Sequence, residues 1–131
     1  MPAYTVRLND IDAAGVVFAA RICAIAHECY EDDLGAAGLS LADVLADGNC
    51  LLPLVRIEAD FRAPLRHGDR LIPRYAVACA EDRYRVGIEL CLPDGRVAAS
   101  VAQHHRCLSS DRRPLPLPPP VRTALERLAG G

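Results

Sequence analysis

The sequence predicts an α+β fold in which an antiparallel sheet curls around one long helix. A proline-free, alanine-rich apolar segment runs from Val16 to about Leu34, and segments that alternate like strands follow it. A helix of roughly 20 residues is ~30 Å long, and a strand of roughly 10 residues is ~33 Å long. The strands can therefore run the length of the helix, and small alanine side chains let the sheet approach it closely.

The first elements are a short strand, the long helix and a second short helix. Residues 4–9 alternate like a strand. The helix carries one apolar stripe at helical spacing, formed by Phe18, Ile22, Ile25 and Cys29. Gly35 and Gly38 predict the end of that helix, and Ser40 predicts the cap of a short helix that ends at about Ala46.

The second half of the chain predicts four strands and a terminal helix. The first strand has a charged face and an apolar face that we expect to be buried, and the apolar residues are Val55, Ile57, Ala59 and Phe61. Residues 71–80 predict a strand with both faces largely apolar, and the next strand alternates through Tyr84, Val86, Ile88, Leu90 and Leu92. The Pro93-Asp94-Gly95 turn leads into an antiparallel partner over 96–108. The proline-rich stretch 114–120 should be extended, and 121–128 should form a short helix.

Length and composition indicate one small domain. The 131 residues suit a single domain over 1–131, with a proline-rich C-terminal tail from about residue 112. The net charge of −2 gives no reason to expect a nucleic acid or a membrane as partner, and we expect no signal peptide or membrane span. All fifteen basic residues are arginines, whose guanidinium groups suit phosphate.

The cysteine and histidine patterns predict reduced thiols and no metal or other cofactor. Six cysteines occur without any C-x-x-C pair, so we expect buried, reduced thiols in a cytoplasmic protein rather than a disulfide framework. His27-Glu28 is not a zinc motif, because H-E-x-x-H needs histidine where Glu31 stands. His104 and His105 are neighbours on a strand and point to opposite faces, so they cannot chelate together.

An acidic loop directly before the long helix carries the strongest functional signal. Asp10 and Asp12 stand there with Gly15, where the free N–H groups of a helix start favour negative charge. A carboxylate beside such donors suits attack on a carbonyl, because one group activates or delivers the nucleophile and the other receives the oxyanion. The simpler interpretation is that these aspartates only cap the helix or form an Asx turn.

The segment from Asp10 to Phe18, followed by His27-Glu28-Cys29-Tyr30-Glu31, resembles the hot-dog acyl-CoA thioesterases of the 4-hydroxybenzoyl-CoA type. Phe61-Arg62-Ala63-Pro64 and Gly68-Asp69 add support, and the resemblance covers residues 4 to about 108. Within that family the sequence is most similar to the 1,4-dihydroxy-2-naphthoyl-CoA hydrolases of phylloquinone and menaquinone synthesis. The resemblance implies a hot-dog fold, a homodimer or homotetramer, an acyl pocket between subunits, and hydrolysis of an aromatic acyl-CoA to the acid and free CoA.

The resemblance also assigns roles to the loop and the helix start. Asp12 matches the catalytic carboxylate, which acts as nucleophile on the thioester carbon or as general base for water. Asp10 is expected to support the loop, and Gly15 to provide a tight turn or a close approach for substrate. Ala19 stands where a backbone N–H polarises the thioester carbonyl, and its small side chain widens the pocket relative to the aromatic or histidine residue of relatives.

Further residues are assigned to the acyl pocket and to CoA. Phe18 and His27 are expected to line the pocket, where His27 either recognises a ring hydroxyl or is an ordinary core histidine. Glu28 is an alternative catalytic base if it points into the pocket, and otherwise lies on a solvated helix face. Arg21 replaces a small polar residue and would reach a CoA phosphate or be solvated. The candidates for CoA binding are Arg62, Arg66 and Arg70, with Arg106 and His67 as further candidates.

Two other functions stay open at this point. The first keeps the fold and changes the substrate to another acyl-CoA, of short-chain or benzoyl type, or to a carrier-protein thioester. The second is a hot-dog domain that binds acyl groups without turning them over, although a pure binder has no need for the carboxylate of Asp12. A hydratase is disfavoured because nothing in the sequence resembles its histidine-bearing helix motif.

Overall fold

The computed structural model describes residues 3–130, apart from the side chain of Leu45. This part of the chain contains three α-helices and five strands. They are β1 (Tyr4–Thr5), α1 (Ala19–Ala36), α2 (Leu41–Asp47), β2 (Leu54–Phe61), β3 (Arg70–Cys79), β4 (Arg83–Cys91), β5 (Val97–Arg106) and α3 (Pro119–Gly130), with a 3₁₀ turn at Leu8–Asp10.

One antiparallel sheet of five strands lies against α1. The strand order is β1-β3-β4-β5-β2, and the β4–β5 ladder runs from the Arg83–Arg106 pair to the Cys91–Val97 pair. α1 packs across β4 and β5, and α3 packs against β3 and α1. The sheet therefore curls around the long helix, which confirms the predicted α+β hot-dog architecture.

The core between helix and sheet consists mainly of small and medium apolar side chains. Helix α1 contributes its predicted stripe at Ile22, Ile25 and Cys29. The alternation predicted for β4 is confirmed, because four of its residues are at most 3% exposed: Tyr84, Val86, Ile88 and Leu90. Phe18 is the exception to the predicted stripe, since it is the N-cap residue of α1 and is 44% exposed.

The long helix begins later, and the first strand ends earlier, than predicted. Val17 is still outside the helix and forms an isolated antiparallel bridge with Ile11, so the first helical residue is Ala19 rather than Val16. The strand predicted over residues 4–9 covers only β1, because the chain turns into the 3₁₀ conformation at Leu8–Asp10. Both differences arise from a tight loop that the apolar pattern alone does not reveal.

The structure contains both short helices that the sequence predicts, one after Ser40 and one at the C-terminus. Ser40 caps α2 by accepting a 3.3 Å hydrogen bond from the Asp43 N–H. The proline-rich stretch is not helical at 114–118, but Pro119 already begins α3. Proline suits a first helical turn because its fixed φ is helical and its missing N–H has no intrahelical partner there. α3 then buries Val121, Ala124, Leu125 and Leu128.

β2 forms one edge of the sheet, and its apolar face is left uncovered. Cross-strand pairs place Ile57 beside Gln103 and Phe61 beside Ala99, so the predicted apolar face does point to the helix side of the sheet. α1 packs on β4 and β5 instead, and the predicted burial is wrong for the single chain. Four large apolar residues are 42–53% exposed: Leu54, Val55, Ile57 and Phe61. Ala59 is half-buried.

Strand β3, which follows β2 in the chain but lies near the other edge of the sheet, is one-sided rather than apolar on both faces. Leu71 and Pro73 are buried, whereas Ile72 and Arg74 are exposed on the other face. Tyr75, further along, donates a hydrogen bond from its hydroxyl to the buried carboxylate of Asp33 on α1. The sheet therefore has one core side and one solvent side at this strand.

All six cysteines are free thiols. Cys50 and Cys107 lie together in the core with their Sγ atoms 3.3 Å apart, and burial raises the pKa of the Cys107 thiol to about 12. Within residues 3–130 no helix is both long and apolar enough to cross a membrane. The same range contains no group of three His, Cys, Asp or Glu side chains that could hold a metal ion.

Candidate active site

The acidic loop between β1 and α1 folds as a tight hairpin. The Asp12 N–H donates to the Val16 carbonyl at 3.0 Å, and the Gly15 N–H donates to the Asp12 carbonyl at 3.0 Å. Gly15 has a φ of +81°, which glycine adopts at no steric cost. The Val17 N–H donates to the Leu65 carbonyl at 2.9 Å, which ties the loop to the segment that follows β2.

The Asp12 side chain lies exposed at the tip of this loop. Its Oδ1 accepts a 2.8 Å hydrogen bond from the Ala14 N–H, which is the Asx turn of the simpler interpretation. A carboxylate has two acceptor oxygens, so Oδ2 stays available for a substrate or a water molecule. The Asx turn therefore orients the carboxylate and leaves it free to react.

Asp10 is fully buried behind the loop and accepts hydrogen bonds from three donors. The Tyr4 hydroxyl donates to Oδ2 at 2.8 Å, the Arg7 N–H donates to Oδ2 at 2.9 Å, and Arg21 Nε donates to Oδ1 at 2.6 Å. Burial alone would raise the pKa of Asp10, but these hydrogen bonds outweigh it and hold the pKa of the carboxyl below its usual range. Asp10 therefore stays ionised and joins β1, the 3₁₀ turn and the first turn of α1.

Arg21 has partners that sequence reasoning missed. Its guanidinium pairs with the buried Asp10 and also with Glu28, whose Oε2 lies 3.1 Å from Arg21 Nη2. Arg21 is therefore not simply solvated, and that expectation is wrong, whereas contact with a CoA phosphate stays a prediction. Glu28 is directed along the helix surface toward Arg21. The sequence signal was present, because an arginine one turn inside a helix can reach an acid that lies just before it.

The N-terminus of α1 has free N–H groups beside the loop. Phe18 at the N-cap makes no side-chain hydrogen bond to the helix, and the Arg21 and Ile22 N–H groups both donate to the Phe18 carbonyl. The N–H groups of Ala19 and Ala20 precede the first intrahelical donors and therefore remain for an anion or a carbonyl oxygen.

A cavity of about 350 Å³, the helix-start cavity, opens beside this helix end. Its lining includes Val17, Ala19, Ile22, Phe61, Arg62 and Pro64. The cavity therefore brings the start of α1 together with the Phe61-Arg62-Ala63-Pro64 motif, although the two are far apart in the chain. Asp12 lies on the adjoining loop and is not part of the lining in the single chain.

The arginines proposed for CoA divide into two groups in the structure. Arg62 lines the helix-start cavity, and Arg66 and Arg70 follow it on the same exposed segment. In the described part of the chain, none of these three forms an ion pair. Arg106 stands at the opposite end of β5, because the Arg62 N–H bonds to the Ala98 carbonyl near the start of that strand. His67 is exposed beside Arg66.

A second cavity, the His27 cavity, lies further along α1 and has a volume of about 550 Å³. Its mainly apolar lining includes His27, Tyr30, Leu41, Leu52, Leu54 and His105. The structure thus places His27 at a cavity large enough for a ring. Phe18 and Glu28, which were also predicted to line the acyl pocket, line neither cavity.

Buried polar side chains lead from the His27 cavity into the core. His27 Nδ1 lies 3.1 Å from Gln103 Nε2, and the amide of Gln103 reaches His105 Nε2 at 3.0 Å. His105 Nδ1 lies 3.1 Å from the Leu52 carbonyl oxygen, and the ring of Tyr30 stacks on His105 at 5.5 Å. Burial lowers the pKa of His105 and keeps its imidazole neutral. Sequence reasoning missed Gln103, although a polar residue on the inward face of an apolar strand signals such a network.

The two cavities lie along the same side of α1. Four residues at spacings of three or four share that side of the helix, namely Ala19, Cys23, Ala26 and Tyr30, and His27 lies next to them. Ala19 and Phe61 line the first cavity, whereas His27 and Leu54 line the second. The start of α1 thus lies opposite the end of β2 at the first cavity, and a later part of α1 lies opposite the start of β2 at the second, so the helix and the strand run antiparallel along both cavities. The polar end of the helix and the mainly apolar His27 cavity therefore lie along one side of α1.

Comparisons with known proteins agree with this geometry. The family model described as the thioesterase-like superfamily matches residues 6–125. A 1,4-dihydroxy-2-naphthoyl-CoA hydrolase of Synechococcus elongatus is 40% identical over 116 residues, which cover 85% of this chain and 85% of that protein. The crystal structure of a 1,4-dihydroxy-2-naphthoyl-CoA thioesterase from Synechocystis matches with a TM-score of 0.90 and 33% identity, covering 97% of this chain and 95% of that chain. A gentisyl-coenzyme A thioesterase matches with a TM-score of 0.81 and 25% identity, covering 95% and 98%. This chain therefore belongs to the thioesterase-like superfamily.

Proposed function

We propose that this chain is an acyl-CoA thioesterase that hydrolyses 1,4-dihydroxy-2-naphthoyl-CoA to the free acid and CoA. The observation that carries the proposal is the available Asp12 carboxylate on a loop that ends at the uncapped N-terminus of α1. The similar proteins of Synechococcus elongatus and Synechocystis are named for this substrate, which supports the choice of acyl group. A place in phylloquinone or menaquinone synthesis follows from that substrate.

The reaction needs a polarised carbonyl and an activated nucleophile. The N–H groups of Ala19 and Ala20 donate to the thioester oxygen and stabilise the oxyanion that forms during attack. Asp12 acts in one of two ways: its carboxylate attacks the carbon to form an anhydride that water hydrolyses, or it takes a proton from a water molecule that attacks directly. In both routes the C–S bond breaks and CoA leaves as a thiolate that takes up a proton.

Three exposed arginines are the proposed contacts for the CoA phosphates. Arg62 borders the cavity where the carbonyl would bind, and Arg66 and Arg70 follow it in the chain, between β2 and the start of β3. Guanidinium groups bind phosphate oxygens in a bidentate manner. The nucleotide end of CoA would therefore lie over residues 62–70, with the thioester at Ala19.

We further infer a homodimer or a dimer of dimers that works in the cytoplasm. The uncovered apolar face and free edge of β2 support this, because a second copy would cover both. The two cavities that border β2 would then lie at the subunit boundary. The six free cysteines suit a reducing compartment, and the net charge of −2 gives no attraction to a nucleic acid or a membrane.

A panel of thioester substrates, assayed by release of the free CoA thiol, tests the proposed function. We expect the highest kcat/KM for 1,4-dihydroxy-2-naphthoyl-CoA and lower values for gentisyl-CoA, benzoyl-CoA, short-chain acyl-CoA and a carrier-protein thioester. A preference for an aliphatic thioester would remove the naphthoyl assignment and keep the thioesterase. Acyl-CoA binding without thiol release from any substrate would contradict the proposal and favour a domain that only binds acyl groups.

A further inference from the structure

The hydrogen-bond contacts beneath the His27 cavity determine which atoms of His105 and Gln103 donate a hydrogen bond and which accept one. The Leu52 carbonyl oxygen can only accept, so His105 Nδ1, 3.1 Å away, must donate to it. A neutral imidazole carries one N–H, and His105 Nε2 is therefore an acceptor. The Gln103 atom placed as Oε1 lies 3.0 Å from this nitrogen, where two acceptors would meet, so the amide is assigned in the reversed orientation with its NH₂ at this position.

This orientation of Gln103 fixes the tautomer of His27. In the reversed amide, the position placed as Nε2, 3.1 Å from His27 Nδ1, holds the carbonyl oxygen of Gln103. His27 Nδ1 must carry the proton to make this hydrogen bond. In neutral His27 the other ring nitrogen, Nε2, then holds a lone pair. Within the described residues Nε2 has no hydrogen-bond partner, and it is left for a ligand in the cavity that His27 lines.

The opposite orientation of the amide produces an unfavourable contact. If the Gln103 oxygen accepted from His105 Nε2, the bare Nδ1 of His105 would face the Leu52 carbonyl at 3.1 Å, with two acceptors in contact inside the protein. Protonating His105 would remove the conflict, but burial lowers the pKa of His105 and disfavours the charged form. Two buried acceptors in contact cannot form a hydrogen bond with each other, and leaving them unpaired is costly. The reversed orientation of the Gln103 amide avoids this contact.

We propose that Gln103 and His105 are positioning residues that hold His27 as a hydrogen-bond acceptor, so that the His27 cavity selects acyl rings with a hydroxyl group directed at His27. The inference rests on the proposed function and states what its acyl pocket recognises. A hydroxyl donates to Nε2, whereas a methoxy group or an unsubstituted ring cannot and leaves Nε2 unpaired. A ring carboxylate at that position brings a second acceptor and is disfavoured.

The spacing along α1 suits an aromatic acyl group. His27 follows Ala19 by eight residues (27 − 19), and such a step spans ~12 Å along a helix axis. One hydrogen bond from Ala19 N–H to the thioester oxygen and one from the ring hydroxyl to His27 take ~3 Å each and leave ~6 Å between them. A substituted aromatic ring bridges that distance, whereas a short acyl chain ends before His27.

Nuclear magnetic resonance of isotope-labelled histidine rings in the ligand-free protein tests the tautomer directly. We expect His27 to carry its proton on Nδ1 and to show an unprotonated Nε2. Gln103→Leu removes the acceptor beside His27 Nδ1 and should free His27 to exchange its proton between the two ring nitrogens. A proton on Nε2 of His27 in the unaltered protein would overturn the proposal, whatever the variants do.

A pair of substrates tests the selection that the tautomer produces. The unaltered enzyme should prefer 1,4-dihydroxy-2-naphthoyl-CoA over its 4-O-methyl ether by roughly 5- to 150-fold in kcat/KM, the scale of one unmade buried hydrogen bond. Gln103→Leu and His27→Ala should abolish this preference by slowing only the hydroxylated substrate. Equal losses on both substrates would refute a role in selection.

The binding of the corresponding free acids separates this inference from the proposed function. If no thioester is hydrolysed at all, the thioesterase assignment fails, but the hydroxylated naphthoic acid should still bind more tightly than its methyl ether. Calorimetric titration of the unaltered protein with both acids measures that difference. Equal affinities for the two acids would show that His27 does not accept a hydrogen bond from the ligand.

Discussion

Asp10 and Asp12 stand two positions apart in the chain but have opposite environments. Asp10 is fully buried and accepts from three donors, whereas Asp12 is exposed and accepts from the Ala14 N–H alone. The hairpin that starts between them causes the difference, because it turns the chain outward just after Asp10. Asp10 thereby holds the loop, whereas Oδ2 of Asp12 has no hydrogen-bond partner within the described residues, as the proposed catalytic role requires.

Replacing Asp12 tests the second of these roles. In Asp12→Asn the amide oxygen can still accept from the Ala14 N–H, so the loop should keep its shape while the carboxylate is lost. We expect turnover to fall by roughly 10²–10⁴-fold, the scale of a lost acid–base group, while the substrate still binds. Stopped-flow measurement of thiol release gives the turnover, and an equilibrium binding measurement shows whether the variant still binds the substrate.

Two matched variants show whether that loss is specific to the loop carboxylate. Asp32→Asn removes an exposed carboxylate on α1 and should leave turnover near that of the unaltered enzyme. Glu28→Gln should also stay active, because the Glu28 carboxylate lies against Arg21 rather than in a cavity. An active Asp12→Asn together with an inactive Glu28→Gln would move the catalytic base from the loop to the helix.

Replacing Asp10 tests the structural role of the buried carboxylate. Asp10→Asn leaves Arg21 without its buried ion-pair partner, and we expect the free energy of unfolding at pH 7 to fall by about 1–3 kcal/mol. The folded pKa of Asp10 is lowered, so its contribution is fully present above the unfolded-state pKa of about 3.9 and is lost as the pH falls through the lower folded pKa. Denaturant unfolding of both proteins should therefore show a stability difference that shrinks below about pH 4. A difference that stays constant at lower pH would mean that the Asp10 charge is not responsible.

The sequence predicted the acids of the site but not their partners. Asp10, Asp12 and Gly15 were visible because turn chemistry is local and stands directly before the helix. The Asp10–Arg21 pair and the Gln103–His105 pair depend on the loop angle and on sheet register, which residue types alone do not specify. Such contacts become predictable only once the strands have been aligned.

At the scale of elements, α3 shows that the C-terminal proline-rich region is part of the core. Its residue Leu125 is completely buried in the cluster that also contains α1 and the sheet. Prolines end strands but favour the start of helices, so the same composition that predicts an extended stretch also allows the helix that begins at Pro119. The sequence predicted this helix over residues 121–128 through its apolar residues and missed two residues at each end.

Truncating a buried leucine of α3 tests this packing. Leu125→Ala should lower the free energy of unfolding by about 2–5 kcal/mol, because a cavity replaces the side chain. Glu126→Ala is the matched control, since Glu126 is the next residue and is exposed, and a surface change of this kind stays within about 0.5 kcal/mol. Chemical denaturation at one protein concentration measures both. Equal stabilities would mean that α3 is not held against the core in solution.

At the scale of the whole molecule, β2 is the feature that the single chain leaves incomplete. The cross-strand pairs confirm that Ile57, Ala59 and Phe61 share a face, as predicted, but a register shift between Leu54 and Arg56 interrupts the predicted alternation at Val55. Periodicity shows that a face is apolar but not what covers it, so the sequence could not tell burial within one chain from burial between two. An exposed edge with several large apolar side chains is a recognised site of association.

A charged substitution on β2 tests assembly and the pocket together. The unaltered protein should sediment as a dimer or a tetramer at micromolar concentration. Ile57→Asp places a carboxylate on the uncovered apolar face and should yield a monomer that remains folded, because Ile57 is already 43% exposed within one chain. Arg56→Asp puts the same residue on the opposite face of the strand and should keep at least the dimer. Since the cavities beside Ala19 and His27 both border β2, thiol release should fall along with the dimer fraction. A stable and fully active monomer of the unaltered protein would refute both the assembly and a pocket shared between subunits.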